Sequence, residues 1–410
     1  MNILTYIYLG YLFISLYIIC FFTLLYTKNK KSIFSYPKLK KNYSVSFLIP
    51  AFNEQATISN TINSILSLNY PHKLLEIIVI NDGSADKTGE IVKNIVKKNK
   101  KVKLINKKNT GKADSLNVAL KEAKGELIVV VDADSYPNKT AIKKMVPYFD
   151  DEKVAAVTSS ILVKNNKNFF GSIQALEYSI IAWTRKLLDY VDGVYVSPGP
   201  LSMYRKSALL EVGGFDTKNM TEDIEMTWKL IYHKYKVKMC LAARSHTTVP
   251  QTFKQWWKQR VRWKIGGMQT IAKYKNTIFN STYNMLGLFI LPYFVISIFL
   301  GLFGLGIFFY IWITNLLSTF LYTKYAITAG VALLTVKDIY ITPSVLNYFG
   351  VALFLLWLFF TIYGVKIVKP QGFKRIPTIT FITYLLFYLL LTPINLLYAV
   401  FKMTTKDLSW

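Results

Sequence analysis

Asp132-Ala133-Asp134 places two carboxylates two residues apart, directly after the run LIVVV at 127–131. Like charges this close require a cation or hydrogen-bond donors between them. A hard divalent metal ion, held by one or two carboxylates and completing its shell with phosphate oxygens, meets that need. The competing reading is an acidic turn, because aspartate is frequent in turns. The element that must position the pair is legible beside it. Five apolar residues rich in β-branching, without alternation, read as a strand buried on both faces of a parallel sheet. The carboxyl end of such a strand opens onto the crevice where open α/β sheets bind ligands.

Similar strand ends recur upstream. Residues 45–49 read as a strand ending at Pro50-Ala51-Phe52-Asn53-Glu54, and a helix should follow through about Leu68. Residues 75–80 form the next expected strand, ending at Asn81-Asp82-Gly83-Ser84; a helix over 86–98, a strand over 102–105 and a helix over 113–123 complete the series. Strands alternating with helices of about 10–15 residues indicate βαβ units on a parallel sheet. Asn53 with Glu54, Asp82, and Asp132 with Asp134 therefore share one edge. Asp82 is placed to accept hydrogen bonds from a base or ribose, and its alternative is to stabilise its own turn. Gly111-Lys112 opens a helix, where backbone N–H groups and a cation face a phosphate. It lacks the upstream glycine of a P-loop.

Further along, the pattern loosens. A strand is expected at 154–160, a helix at 169–190, a glycine and proline turn at 197–204 leading into a short strand, and a loop at 213–215. Thr221-Glu222-Asp223 precedes a helix-like segment at 224–233. Thr221 suits an N-cap and the acids suit a first turn, so on these residues alone capping is the favoured role. Residues 251–276 mix Trp256, Trp257 and Trp263 with Lys258, Arg260, Arg262 and Lys264. A helix of that makeup suits a membrane interface, and Gln259 and Arg262, three apart, share one of its faces.

Composition explains the frame. Of 410 residues more than half are hydrophobic, and they cluster: 3–26 and 284–323 contain no charged residue. Each exceeds the roughly 20 residues that cross a bilayer. The first lacks a positive leading region and a small-residue cleavage site, so it reads as a span rather than a signal peptide. The net charge of +27 comes without a recognisable nucleic-acid module. Lys28, Lys30, Lys31, Lys38, Lys40 and Lys41 follow the first span, which by the positive-inside rule puts the amino terminus outside and the next domain in the cytoplasm. Two cysteines and three scattered histidines form neither a disulfide framework nor a zinc site. Later spans are expected at 284–313, 344–368 and 377–401. Lys366, Lys369, Lys374 and Arg375 should be cytoplasmic, and 314–343 lies outside or forms a short re-entrant helix, giving four or five spans in all.

Taken together and in order, PAFNE at 50–54, NDGS at 81–84, GKADSLN at 111–117, DAD at 132–134, TED at 221–223 and QRVRW at 259–263 resemble the processive family 2 glycosyltransferases. The likeness covers about 45–275, and the flanking spans match in placement. It is nearest to the bacterial poly-β-1,6-N-acetylglucosamine synthases, with hyaluronan, chitin and cellulose synthases as more distant relatives.

The resemblance implies an α/β GT-A domain with a mostly parallel sheet, set between transmembrane helices. The implied division is a span at 1–27, a cytoplasmic catalytic domain at 28–250, interfacial amphipathic helices at 251–283 and a region of three or four spans at 284–410. It implies a multi-pass protein of the cell membrane that polymerises a β-linked polysaccharide from a UDP-sugar, UDP-N-acetylglucosamine foremost, with inversion, and exports it. Carried over by position, Ala51, Asn53, Glu54, Asp82, Lys112 and Asp132 would contact the donor, and Asp132 and Asp134 would hold its diphosphate through Mg²⁺ or Mn²⁺. Asp223 would be the general base with Glu222 beside it. Gln259, Arg262 and Trp263 would close over the diphosphate, with Gly199, Pro200 and Trp263 at the acceptor. Partners implied are the UDP-sugar, the growing glycan, the bilayer and a small membrane accessory subunit, with no nucleic acid. Two alternatives stand beside this reading: a single transfer to a lipid phosphate, and a synthase of the hyaluronan, chitin or cellulose type using another donor.

Overall fold

A computed structural model describes residues 3–330, 345–368 and 378–405. The chain begins with helix α1 (Ile3–Asn29). There follow β1 (Val45–Ala51), α2 (Ile58–Leu66), β2 (Leu75–Asp82), α3 (Thr88–Lys98), β3 (Val102–Lys107), α4 (Lys112–Glu122) and β4 (Leu127–Val130). Next are β5 (Ser135–Pro137), α5 (Ala141–Met145), β6 (Val154–Val163), α6 (Phe169–Asp189), β7 (Ser202–Arg205), α7 (Lys206–Glu211), α8 (Glu222–Tyr232) and β8 (Lys236–Thr247). The long helices α9 (Phe253–Tyr274), α10 (Leu291–Ala329), α11 (Val345–Val368) and α12 (Thr378–Thr404) complete the described chain.

One eight-stranded sheet carries the domain, in the order β3-β2-β1-β4-β7-β6-β8-β5. The strands β3, β2, β1 and β4 run parallel, and β7 inserts antiparallel between β4 and β6. The unbroken apolar runs have their expected cause. Leu48, Ile78, Ile80, Ile128 and Val130 face one core, which continues through Ile19, Phe22, Leu286 and Leu353 into the apolar helices. Phe47, Ile49, Ile77, Val79, Leu127 and Val129 face a second core under α2 and α5. With helices on both faces, a strand gains no solvent side on which polar residues could alternate.

Four helices among the described residues are long and apolar enough to cross a membrane: Ile3–Ser32, Leu286–Ala329, Tyr348–Val368 and Ile379–Thr404. Residues 314–329, expected outside the membrane or in a re-entrant piece, instead continue α10 without a break. The apolar run 284–313 contains nothing that stops a helix there, and Gly330 in the left-handed conformation ends it. The rest of that expected loop, 331–343, and Lys369, Lys374 and Arg375 lie outside the described residues. Two strands, β5 and β8, were absent from the expected series, and they pair with each other.

Candidate active site

The three polar strand ends do meet on one edge, and each is held differently. The β1 and β2 ends are laced together. Asn53, at φ 57°, donates its backbone N–H to Ser84 Oγ at 3.0 Å, and its side-chain oxygen accepts from Ala85 N at 2.9 Å. Glu54 N donates to Thr88 Oγ1 at 2.8 Å, and Thr57 Oγ1 donates to the Glu54 carboxylate at 2.5 Å. Ala51 is buried at the end of β1. Asp82 is 4% exposed, and its carboxylate serves the chain itself. It accepts from Lys107 Nζ at 2.6 Å, Thr110 N at 3.1 Å and Gly111 N at 2.9 Å. Its oxygens thus organise the loop that delivers Lys112.

Lys112 is the centre of the site. Its ammonium lies 2.7 Å from Asp132 Oδ1 and 2.7 Å from Glu222 Oε1, joining the end of β4 to the start of α8. Burial alone would lower its pKa; the carboxylates of Asp132, Glu222 and Asp223 hold it well above the ordinary lysine range. The loop before β7 closes this pair from one side. Gly199 is buried, its carbonyl accepts from Asp132 N at 3.2 Å, and a Cβ at Gly199 would stand 2.5 Å from both Asp132 Oδ1 and Lys112 Nζ. Ser245 Oγ donates to the Pro200 carbonyl at 3.1 Å. Gly199, expected at the acceptor, therefore packs directly on the Asp132–Lys112 pair.

Asp134 turns toward β8, accepting from Ser135 Oγ at 3.1 Å and Thr247 Oγ1 at 3.3 Å. Burial and the nearby carboxylates of Asp132 and Glu54 push its pKa up to about 7. Such a crowd of carboxylates with too little compensating charge fits a divalent cation. Among the described residues no group of three or more His, Cys, Asp or Glu side chains is arranged to hold a metal. The donor set that fits is then Asp132 and Asp134, with the remaining ligands supplied by a bound diphosphate and water.

Of the capping role favoured for the TED segment, the acids do occupy the first turn of α8, but the Thr221 side-chain cap is not made. Thr221 occupies the position before α8, but its side chain makes no cap bond; Thr221 Oγ1 meets Asn219 Oδ1 at 3.3 Å. Glu222 points to Lys112. Burial would raise its pKa, and Lys112 with Arg262 outweighs burial and lowers it. Asp223 accepts from Ile224 N at 2.8 Å; burial and the Glu222 charge beside it push its pKa up to about 6. The two adjacent acids are thus pushed in opposite directions, Glu222 down and Asp223 up.

Helix α9 brings QRVRW against this edge. Gly266 leaves no room for a side chain, because a Cβ there would overlap Thr221; this close approach seats α9 on the start of α8. Behind it, Glu225 accepts from Lys273 Nζ at 2.5 Å and Tyr274 OH at 2.9 Å. Arg262 is exposed. Gln259 is bound at Oε1 by Arg260 Nη1 at 2.5 Å, and the Arg260 guanidinium lies 4.1 Å from the Trp263 ring centre. Trp263 and Ile224, the residue after Asp223, both line a 580 Å³ cavity that continues between the apolar helices past Tyr293, Trp357, Tyr388 and Leu396. Burial and the charge of Arg260 bring Lys264, on the same wall, down to about 8.

Of the expected residues, the structure brings Lys112, Asp132, Glu222 and Asp223 together. Glu177, Arg260, Lys264, Thr247 and Tyr388 were missed. Arg260 lay inside a recognised motif, and its position three residues before Trp263 on a helix was the available signal; Glu177 lies in α6 and Tyr388 in the apolar α12, neither within a motif.

The model of Glycosyl transferase family 2 matches residues 46–213. The chain is 38% identical over 232 residues to a poly-beta-1,6-N-acetyl-D-glucosamine synthase of Staphylococcus epidermidis, covering 56% of each chain. To the enzyme of that name from Staphylococcus aureus (strain COL) it is 35% identical over 250 residues, 60% of each. The matched region thus spans under two thirds of these relatives. Among solved structures, a Pyrobaculum calidifontis mannosyltransferase in complex with GDP-Man and Mn2+ aligns at 24% identity and TM-score 0.49, over 65% of this chain and 75% of that one. Staphylococcus aureus TarS 1–349 in complex with UDP-GlcNAc aligns at 22% and 0.39, over 54% and 66%. Residues 46–213, which match that family model, lie in one mostly parallel eight-stranded sheet flanked by apolar helices.

Proposed function

We propose that this chain, whose residues 46–213 match the family 2 glycosyltransferase model, is a processive membrane synthase that polymerises N-acetylglucosamine from UDP-N-acetylglucosamine and passes the β-linked product outward between its own helices. The observation that carries the reading is the cavity. The residue following Asp223 and the ring of Trp263 line the same space as Tyr293, Trp357 and Leu396 from the apolar helices. A transferase using its helices only as an anchor has no need of such a path. The relatives' shared name supports the choice of donor sugar.

In this reading the acceptor hydroxyl gives its proton to Asp223 as its oxygen attacks the anomeric carbon, and the bond to the UDP phosphate breaks on the opposite side, inverting the centre. The Asp223 carboxylate is held by Ile224 N, and the charges of Glu222 and Lys112 act on it. The leaving diphosphate gathers negative charge, which Lys112 and Arg262 are placed to offset. Mg²⁺ or Mn²⁺, held by Asp132 and Asp134, would add Lewis-acid stabilisation of the leaving oxygen when bound. Trp263 offers an aromatic face to the acceptor ring. The catalytic domain lies on the cytoplasmic side of the cell membrane, beside the Lys28–Lys41 cluster, and a small membrane accessory subunit is a further partner.

The test is to incubate the purified protein with UDP-N-acetylglucosamine, UDP-glucose, UDP-glucuronate and UDP-galactose separately and size the products. Long polymer from the first donor alone is the expected result. A lipid-linked monosaccharide as sole product overturns the processive reading, and polymer from another donor overturns the sugar assignment.

A further inference from the structure

The ion pair between Glu177 of α6 and Arg260 of α9 is buried, Arg260 being 6% exposed. The same carboxylate oxygen accepts from Tyr388 OH of α12 at 2.7 Å, and Trp256 Nε1 meets that hydroxyl at 3.3 Å. Three helices that wall the cavity are thus joined at one carboxylate. Arg260 also touches two residues of the QRVRW segment, donating to Gln259 Oε1 at 2.5 Å and lying 4.1 Å from the Trp263 ring centre.

We infer that the Glu177–Arg260–Tyr388 cluster is a positioning device that fixes the Trp263 ring for the acceptor glycan and couples it to membrane helix α12, thereby setting product length; this rests on the polymerising reading above. With one face of the indole covered by the guanidinium, only the opposite face is left for a pyranose. The planar guanidinium is required, since a lysine ammonium cannot at once pair with a carboxylate, hold an amide oxygen and cover a ring. Stability alone does not account for the cluster, because a buried ion pair contributes little beyond what well-packed apolar residues would give. Any shift of α12 as glycan moves along the cavity passes through Tyr388 and Glu177 to the residue that grips the chain end.

The experiment uses the full-length protein in lipid nanodiscs, with UDP-N-acetylglucosamine as donor, and measures product length, donor KM and thermal stability. Tyr388→Phe removes one hydroxyl and keeps the ring, so it should fold normally. Its products should be about tenfold shorter, the factor one hydrogen bond to a charged group is worth, with donor KM unchanged. Arg260→Lys should shorten them as well. Because the cluster acts through Trp263, Tyr388→Phe combined with Trp263→Phe should be no worse than Trp263→Phe alone, whereas independent structural roles would add. A polymerising wild type whose Tyr388→Phe products keep full length, or whose two substitutions act additively, overturns this inference and leaves the function standing. A wild type that forms a single glycosidic bond and stops overturns both.

Discussion

Substituting Gly199 by alanine tests the centre of the site with one methyl group. The backbone at Gly199 is not in the left-handed region, so the effect is steric only. The new Cβ would stand 2.5 Å from Asp132 Oδ1, 2.5 Å from Lys112 Nζ and 2.8 Å from Asp132 Oδ2, where ordinary contact begins at 3.4 Å. Lys112 has a long side chain and can swing aside. Asp132 cannot move far, because its own N–H donates to the Gly199 carbonyl at 3.2 Å and moves with the loop. The carboxylate must therefore shift by about 1 Å or part from Lys112, and a misplacement of that size costs about a hundredfold in rate. That factor corresponds to about 2.7 kcal/mol of activation free energy. Initial rates of polymer formation from UDP-N-acetylglucosamine, measured beside thermal unfolding of the same sample, give the comparison. Turnover should fall by that factor while the melting temperature stays close to wild type, since the Lys112 side chain is partly exposed and can swing outward. A Gly199→Ala enzyme working at the wild-type rate would show that the Lys112–Asp132 pair plays no part in the chemistry.

Asp223→Asn should lower turnover by about a hundredfold to ten-thousandfold, the usual worth of a general base, while calorimetry finds UDP still bound; undiminished turnover removes Asp223 from that role. Because Asp223 must be ionised to accept a proton and its pKa is pushed up to about 6, the single-turnover rate should climb as pH rises through that value and then level off. A rate that falls over the same interval contradicts the assignment. Asp134→Asn should raise the concentration of Mg²⁺ or Mn²⁺ needed for half-maximal activity, and chelation should silence the wild type until metal is returned; a variant with the wild-type metal requirement would dismiss Asp134 as a ligand. The adjacent helix glycines should diverge. A methyl group added at Gly267 would meet nothing within 4 Å, so Gly267→Ala should gain up to about 1 kcal/mol from helix propensity, whereas Gly266→Ala, driven into Thr221, should lower the unfolding temperature and separate α9 from α8.

What could be read in the chain follows from where its causes are local. The strands β1, β2 and β4 were legible because burial on both faces demands unbroken apolar residues over a few positions. Strand β8 was not, although Val237, Met239, Leu241, Ala243, Ser245 and Thr247 are buried at every second position, with the buried Cys240 and a register shift interrupting the alternation midway. Small and polar residues at half of those positions, and lysine or arginine among those between, erased the hydrophobic contrast on which a period of two is recognised. The site divides along the same line. Asp82 and Asp132 are the same residue type, each at the carboxyl end of a buried parallel strand, and no local rule separates them. The fold brings Lys107 and two backbone N–H groups to Asp82, whereas Asp132 receives Lys112, which it shares with the distant Glu222. One aspartate is thereby tied to the loop 107–111 and the other to the start of α8. It follows that Asp82→Asn should act indirectly: the loop 107–111 loses its anchor, Lys112 is less well aimed, and UDP affinity and turnover fall together, with faster amide exchange at Thr110 and Gly111. If turnover fell while those amides stayed protected, Asp82 would instead be touching the nucleotide itself.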